Sequence, residues 1–227
     1  MYYLLKPDFI GRDRFIELMM DAGFRLKRPR NYRRTTYAGG VRYANLINGK
    51  ELKAPSVVWQ SDITYFCVQQ RFYYGVFIID AYTRKIVGFK VSQSMRAIAN
   101  VEALAMALSC NKAPEIHHSD RGSQYGSKKY IGLLEGQKTK ISMGLKAQEN
   151  AYAERINRTI KEEYLDHWMP QSFQQLKSRV TKAVYHYNNK RPHKSLMRMT
   201  PTEFENKWAN DPAFNKPVFT IFDNNNL

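Results

Sequence analysis

The sequence predicts an α/β fold on a mixed sheet, with three antiparallel strands first, further strands joined through helices, and helices flanking the whole. Three observations carry this. Between residues 57 and 91, three runs rich in β-branched and aromatic residues follow one another across short turns, the pattern of an antiparallel meander. Beyond them, apolar residues recur at steps of three and four, the period of a helix with one buried face. Two further short apolar runs, near 115–119 and 140–143, sit between those helical stretches and are read as strands added to the sheet after a helix.

In chain order, a short helix is expected at about 13–22, where Phe15, Leu18 and Met19 share a face. An extended basic arm follows, interrupted by Pro29, Gly39 and Gly40. The strands are expected at about 57–69, 72–81 and 85–91, then a helix at 98–110 with Val101, Leu104, Ala105 and Leu108 on one side. After the strand near 115–119 come a helix at about 127–135 and the strand near 140–143. The helix from Ala151 to Leu165 has its stripe at Ala153, Ile156, Ile160 and Tyr164, opposite a polar face of Glu154, Asn157, Arg158 and Lys161. A long helix from about 172 to 188 carries Phe173, Leu176, Val180, Val184 and Tyr187 and should pack across the sheet. Thr200-Pro201 reads as the cap of a short final helix, and residues 223–227 read as frayed. The divisions expected are 1–54 as a basic helix and arm, 55–210 as the core with its C-terminal helices, and 211–227 as a tail.

Among 227 residues, 43% hydrophobic and 13% aromatic is enough for one substantial core. A net charge of +16 calls for a polyanionic partner. Nucleic acid leads over an acidic membrane, because no basic amphipathic anchor helix stands out. The apolar runs at 72–79 and 101–108 fall short of a membrane span and the first residues lack a signal-type apolar stretch, so an intracellular, soluble protein is expected. Cys67 and Cys110 lie in apolar runs without metal-ligand spacing and are expected as reduced core thiols. Residues 1–54 carry twelve Lys/Arg against five Asp/Glu, with Arg25, Lys27, Arg28, Arg30, Arg33 and Arg34 in one stretch free of acids. Six such cations repel one another unless an anion runs past them, so they are expected to contact DNA phosphates.

Three acids attract attention. Asp120, in His118-Ser119-Asp120-Arg121-Gly122-Ser123-Gln124-Tyr125, is placed where an apolar strand meets a polar turn, with both carboxylate oxygens expected to be free. Asp62 interrupts an apolar strand that should be buried on both faces, where an ionised carboxylate requires a cation, a metal or a raised pKa. Glu154 occupies the polar side of its helix. Together they form the all-oxygen set preferred by Mg²⁺ or Mn²⁺. Asp80 ends an apolar run before a hairpin turn and is expected to hold that turn or to back a metal ligand. His117 and His118 lack a second His or Cys pair at zinc-ligand spacing and are left out of the ligand set. His186 and His193 are assigned to DNA contact or packing.

At this point the chain resembles the integrase-core (DDE) transposases of bacterial insertion sequences, the OrfB type related to retroviral integrases. Trp59-Gln60-Ser61-Asp62-Ile63-Thr64-Tyr65, the stretch from Ile79 to Gly88, the block around Asp120, Asn150-Ala151-Tyr152-Ala153-Glu154 and the stretch from Tyr187 to Leu196 carry the match in order. The resemblance covers about residue 10 to about residue 207. It implies a ribonuclease-H-like fold and metal-dependent DNA 3′-end cleavage and strand transfer, with Asp62, Asp120 and Glu154 holding two Mg²⁺ or Mn²⁺ ions. It implies element ends and target DNA as partners, a homo-oligomer on DNA, and a cytoplasmic, nucleoid-associated bacterial protein. Arg158, Lys161, Lys190, Arg191 and Lys194 join the basic arm as expected DNA contacts; Lys161 lies about 10.5 Å of helical rise beyond Glu154, on nearly the same face. The chain departs from the family in two places. Only 33 residues separate Asp120 from Glu154, slightly fewer than usual, the shortening falling near 143–148, and Glu149 there is a lower-ranked rival for the third ligand. The chain also begins within what resembles a longer leader, so a helix-turn-helix that chooses the DNA end is expected to be missing or supplied by a separate chain. Two alternatives stay open: a truncated DNA-binding product that regulates a longer transposase, and a ribonuclease-H-like nuclease that cuts without joining.

Overall fold

The computed structural model describes residues 2–5, 7–24, 42–145 and 147–221. The cations Arg25, Lys27, Arg28, Arg30, Arg33 and Arg34, and the end at 223–227, lie outside the described residues. Two helices, α1 (Tyr2–Leu5) and α2 (Arg12–Asp21), come first, and the short strand β1 (Glu51–Leu52) follows. Next are β2 (Val58–Val68), β3 (Arg71–Asp80) and β4 (Ile86–Ser92), then α3 (Ala97–Cys110), β5 (Ile116–Ser119), α4 (Lys128–Gly136) and β6 (Lys140–Met143). After a 3-10 turn at Ala147–Asn150 come α5 (Ala151–Thr159), a π-helical segment Ile160–Leu165, α6 (Asp166–Trp168), α7 (Phe173–Asn189), α8 (Pro201–Asn210) and β7 (Phe219–Thr220).

Five strands form one sheet in the order β4-β3-β2-β5-β6. The meander is antiparallel, while β5 runs parallel to β2 and β6 parallel to β5. The period of two along β2 divides its side chains between two layers. Trp59 and Ile63 face a core shared with α3 and α4; Phe66 and Val68, with Phe77 and Ile79 of β3, face α5, the π segment and α7. Asp62 therefore points toward α5. Ala153, Ile156, Ile160, Tyr164, Leu176, Val180, Val184 and Tyr187 are all buried, as their periodicity predicts. Thr200 closes α8 with a capping box, its side chain accepting from the Glu203 N–H while Glu203 reaches back to the Thr200 N–H.

The close approach of α3 to the sheet depends on Gly88. A Cβ there would sit 2.3 Å from the Ala103 carbonyl oxygen and 2.8 Å from the Ala107 Cβ, so Gly88→Ala must push a helix backbone off the sheet. Its cost is expected at about 3 kcal/mol, the upper range for overpacking, read as a lowered denaturant midpoint.

Two expectations need correction here. Cys67 and Cys110 are free thiols, but both are exposed. Cys67 sits near the β2–β3 hairpin tip, where Arg71 and Phe72 are also exposed, and Cys110 is the last residue of α3. An apolar run does not bury a residue where its strand or helix outruns the layer covering it. The segment beyond 211, expected as a tail, returns to the body: β7 pairs with β1, and Ile221, Phe219 and Phe214 pack with Ile47, Leu52, Tyr82 and Phe204.

Candidate active site

Asp62 on β2, Asp120 just past β5 and Glu154 in the first turn of α5 converge near one end of the sheet. Parallel pairing sets Ser119 opposite Ser61, which brings the residues that follow, Asp120 and Asp62, side by side across adjacent strands. α5 crosses the same face and is held there by three amide side chains. Asn150 donates to the Ser61 carbonyl at 2.9 Å, Gln60 accepts the Tyr152 N–H at 3.1 Å, and Asn157 donates to Asp62 Oδ2 at 2.8 Å. Asn157 is buried, although helical period alone assigned it to a polar face. The buried stripe of α5 and the sheet-facing edge that carries Asn157 are adjacent, and only the position of Asp62 shows that a polar residue belongs between them.

The electrostatics join the three acids. Burial raises the Asp62 carboxyl to about 7, with the Asp120 and Glu154 carboxylates adding to the rise and the Ile63 N–H and Asn157 opposing it. Glu154 is raised by burial and by Asp120, against the attraction of Arg158. Each pair thus interacts, yet the side chains are not gathered: among the described residues no three His, Cys, Asp or Glu groups stand as a set able to hold one ion. Mutual repulsion between like charges favours such spreading.

Asp120 does not leave both oxygens free, as the sequence suggested. Its Oδ1 accepts the Gly122 N–H at 3.0 Å, an Asx-type turn that fixes the carboxylate. Gly122 is required by that closeness, since a Cβ there would lie 2.9 Å from the same oxygen. Behind it Tyr125 is fully buried, its hydroxyl 3.1 Å from Ser61 Oγ and its ring edge-on to Tyr130, and burial together with the Asp120 charge pushes its phenol well up. Asp80 accepts from the backbone N–H groups of Ser56, Tyr82 and Thr83; it holds the turn.

The expected DNA contacts divide. Arg158, Lys190 and Lys194 are exposed. Lys161 lies in the π segment, whose wider turn breaks the 3.6-residue period from which its face was read. Its ammonium nevertheless stays on the site side, 4.4 Å above the Tyr65 ring and drawn toward Asp62. Arg191 differs from the expectation of an outward cation: its Nε and Nη2 both donate to Glu163 at 2.6 Å, tying the end of α7 to the π segment. His193 is buried against Tyr187, and His186 Nδ1 is 3.0 Å from the Tyr164 hydroxyl, so both belong to packing.

A mixed five-stranded sheet in this order, with acids on its central strand, on the neighbouring strand end and on the covering helix, defines the ribonuclease-H-like integrase class. Integrase core domain models match residues 53–148 and 135–201. The insertion element IS600 31 kDa protein of Shigella sonnei is 34% identical over 207 residues, covering 88% of this chain and 76% of that one. The putative transposase InsK for insertion sequence IS150 of Escherichia coli K12 is 29% identical over 198 residues, covering 84% and 68%. The HTLV-2 integrase catalytic core domain, solved with magnesium, superposes with a TM-score of 0.57 at 18% identity, covering 67% of this chain and 97% of that domain. The chain belongs to the integrase-core transposases of bacterial insertion sequences.

Proposed function

We propose that this transposase cuts DNA at the ends of its element and joins the exposed 3′ ends to target DNA, with Asp62, Asp120 and Glu154 as its working acids. The observation that supports it is the parallel β2–β5 register that sets Asp62 and Asp120 on adjacent strands, with the Glu154 helix tied to Asp62 through Asn157. Two in-line displacements at phosphorus are implied. In the first, a water oxygen bonds to phosphorus and a strand 3′-hydroxyl leaves; in the second, that hydroxyl bonds to a target phosphorus and a target 3′-hydroxyl leaves.

The donor set is one a hard divalent cation accepts: three carboxylates, two of them with raised proton affinity. Asp62, Asp120 and Glu154 would hold Mg²⁺ or Mn²⁺, in our reading two ions, and the HTLV-2 relative was solved with magnesium. Bound there, a divalent cation supplies Lewis-acid stabilisation of charge on the transferring phosphoryl group. Asn157 orients Asp62, and the Gly122 N–H orients Asp120. Arg158, Lys161, Lys190 and Lys194, with the basic arm, would hold phosphates and so position DNA without reading its sequence. Assembly as a homo-oligomer on DNA is part of the proposal, a simian T-cell lymphotropic virus intasome being among the structural relatives; a separate helix-turn-helix chain to select the element end is another part.

The test incubates the purified chain with labelled element-end duplex, target plasmid and Mg²⁺ or Mn²⁺. Joined end–target products are expected. Nicking without joining would point to a nuclease, and binding without nicking to a regulatory product. Lys161→Ala is expected to weaken DNA binding and reduce the slope of log affinity against log salt by about one, with metal-induced stabilisation retained. An unchanged slope in a salt series would place the DNA elsewhere.

A further inference from the structure

Gly144, the first residue after β6, is bound to the last residue of β5, next to Asp120. The Gly144 N–H donates to the Ser119 carbonyl at 2.9 Å. Glu149 folds back over this glycine and accepts the Leu145 N–H. A Cβ on Gly144 would lie 3.0 Å from His118 Nε2, 3.0 Å from the Glu149 Cβ and 3.1 Å from Glu149 Oε2. Imidazole and carboxylate therefore both border the space that the missing side chain leaves.

His118 is fully buried, and its Nδ1 is 2.8 Å from Ser142 Oγ. Ser142 Oγ also accepts the Leu46 N–H at 2.8 Å; where the hydroxyl proton is given to Nδ1, the imidazole proton is on Nε2. Nε2 has no hydrogen-bond partner among the described residues, and a buried donor without an acceptor is a group that structure ordinarily satisfies. Glu149 is the carboxylate that borders the same space.

We propose that His118 and Glu149 form a latch: the Nε2–H anchors the Glu149 carboxylate across Gly144, holding the 3-10 turn Ala147–Asn150 that leads into α5 and thereby positioning Glu154. Both are positioning residues. The catalytic part of this inference rests on the proposed strand transfer, whereas the latch itself does not.

The test uses the full chain with Glu149→Ala, Glu149→Gln, His118→Phe and the double variant His118→Phe/Glu149→Ala. The first readout is hydrogen exchange at the Gly144 amide, which requires no activity. Glu149→Ala and His118→Phe should each speed it by about tenfold, as local opening becomes easier, and Glu149→Gln, which keeps an acceptor oxygen, should not. The second readout is single-turnover joining. Glu149→Ala and His118→Phe should slow it about 100-fold at unchanged DNA affinity, the scale of a small misplacement, with Glu149→Gln restoring the rate and the double variant no slower than the worse single. If Glu149→Gln is as inactive as Glu154→Gln, Glu149 is a metal ligand and the latch is wrong. Gly144 exchange in Glu149→Ala equal to the parent overturns it even should His118→Phe fail to fold, as does a multiplicative loss in the double variant. A parent without joining activity but with the expected exchange pattern would remove the strand-transfer reading and keep the latch.

Discussion

Asp62→Asn, Asp120→Asn and Glu154→Gln are each expected to lower cleavage and joining by roughly 1000-fold or more, equivalent to about 4 kcal/mol of barrier, while the fold and most DNA affinity survive. The substitutions keep shape and an acceptor oxygen. Asn157 can still donate to the amide oxygen at position 62, and the Gly122 N–H to that at position 120. What they remove is negative charge, and a divalent cation held by oxygen ligands depends on it. DNA affinity should persist because phosphate contacts come from the cations. Ca²⁺ should bind the parent without supporting turnover, since it accepts looser, higher-coordinate geometry. Single-turnover assays beside melting curves and salt-dependent binding separate these effects. Any one variant at the parent's rate would remove that residue from the proposed set.

The second large effect concerns stability against pH. Asp62 titrates near 7 in the folded chain against an ordinary value of 3.8. Between those values the folded state binds the proton and the unfolded state does not, so folding is favoured at low pH and loses that advantage as pH rises through 7. Above 7 the full cost is present, up to about 4 kcal/mol for a shift of this size and less to the extent that water reaches the carboxylate. Asp62→Asn should therefore melt higher than the parent at pH 8, with the gap narrowing through pH 6 and closing near pH 4. Mg²⁺ should raise the parent's melting temperature at pH 8 more than the variant's, because a bound cation offsets the repulsion that the variant no longer has. A variant less stable than the parent at pH 8 would show that the Asp62 charge is already compensated within the fold.

Much of this molecule is written in local pattern. β-branched and aromatic runs joined by short turns placed the strands of the meander, and steps of three and four placed α3, the α5 stripe and α7, because each burial pattern follows from the geometry of its own element. Asp62 and Asp120 could be singled out for the same reason, each being a carboxylate where its neighbours predict burial or a break in regular structure; Glu154, on the polar side of its helix, joined them through the family motif Asn150-Ala151-Tyr152-Ala153-Glu154. The composition likewise determined the sign of the partner's charge.

What the chain could not state locally is which groups meet. Asn157 looked solvated until Asp62, 95 residues away, took its amide. Arg191 looked free until Glu163, 28 residues away, took its guanidinium. Cys67 and Cys110 looked buried because an apolar run says nothing about where its covering layer stops. The π turn at Ile160–Leu165 has no periodic signature of its own, since Ile160, Tyr164 and Leu165 remain buried through it. Sequence by itself determined the central strands, the longer helices and most of their buried faces, since side-chain period is a property of one strand or helix, although Leu18 and Ala105, read onto buried faces, are exposed. Tertiary structure alone decided that β5 would run beside β2, that α5 would cross them on the Asp62 face, and that three repelling carboxylates would come to the same end of the sheet, since those outcomes belong to contacts between residues far apart in the chain.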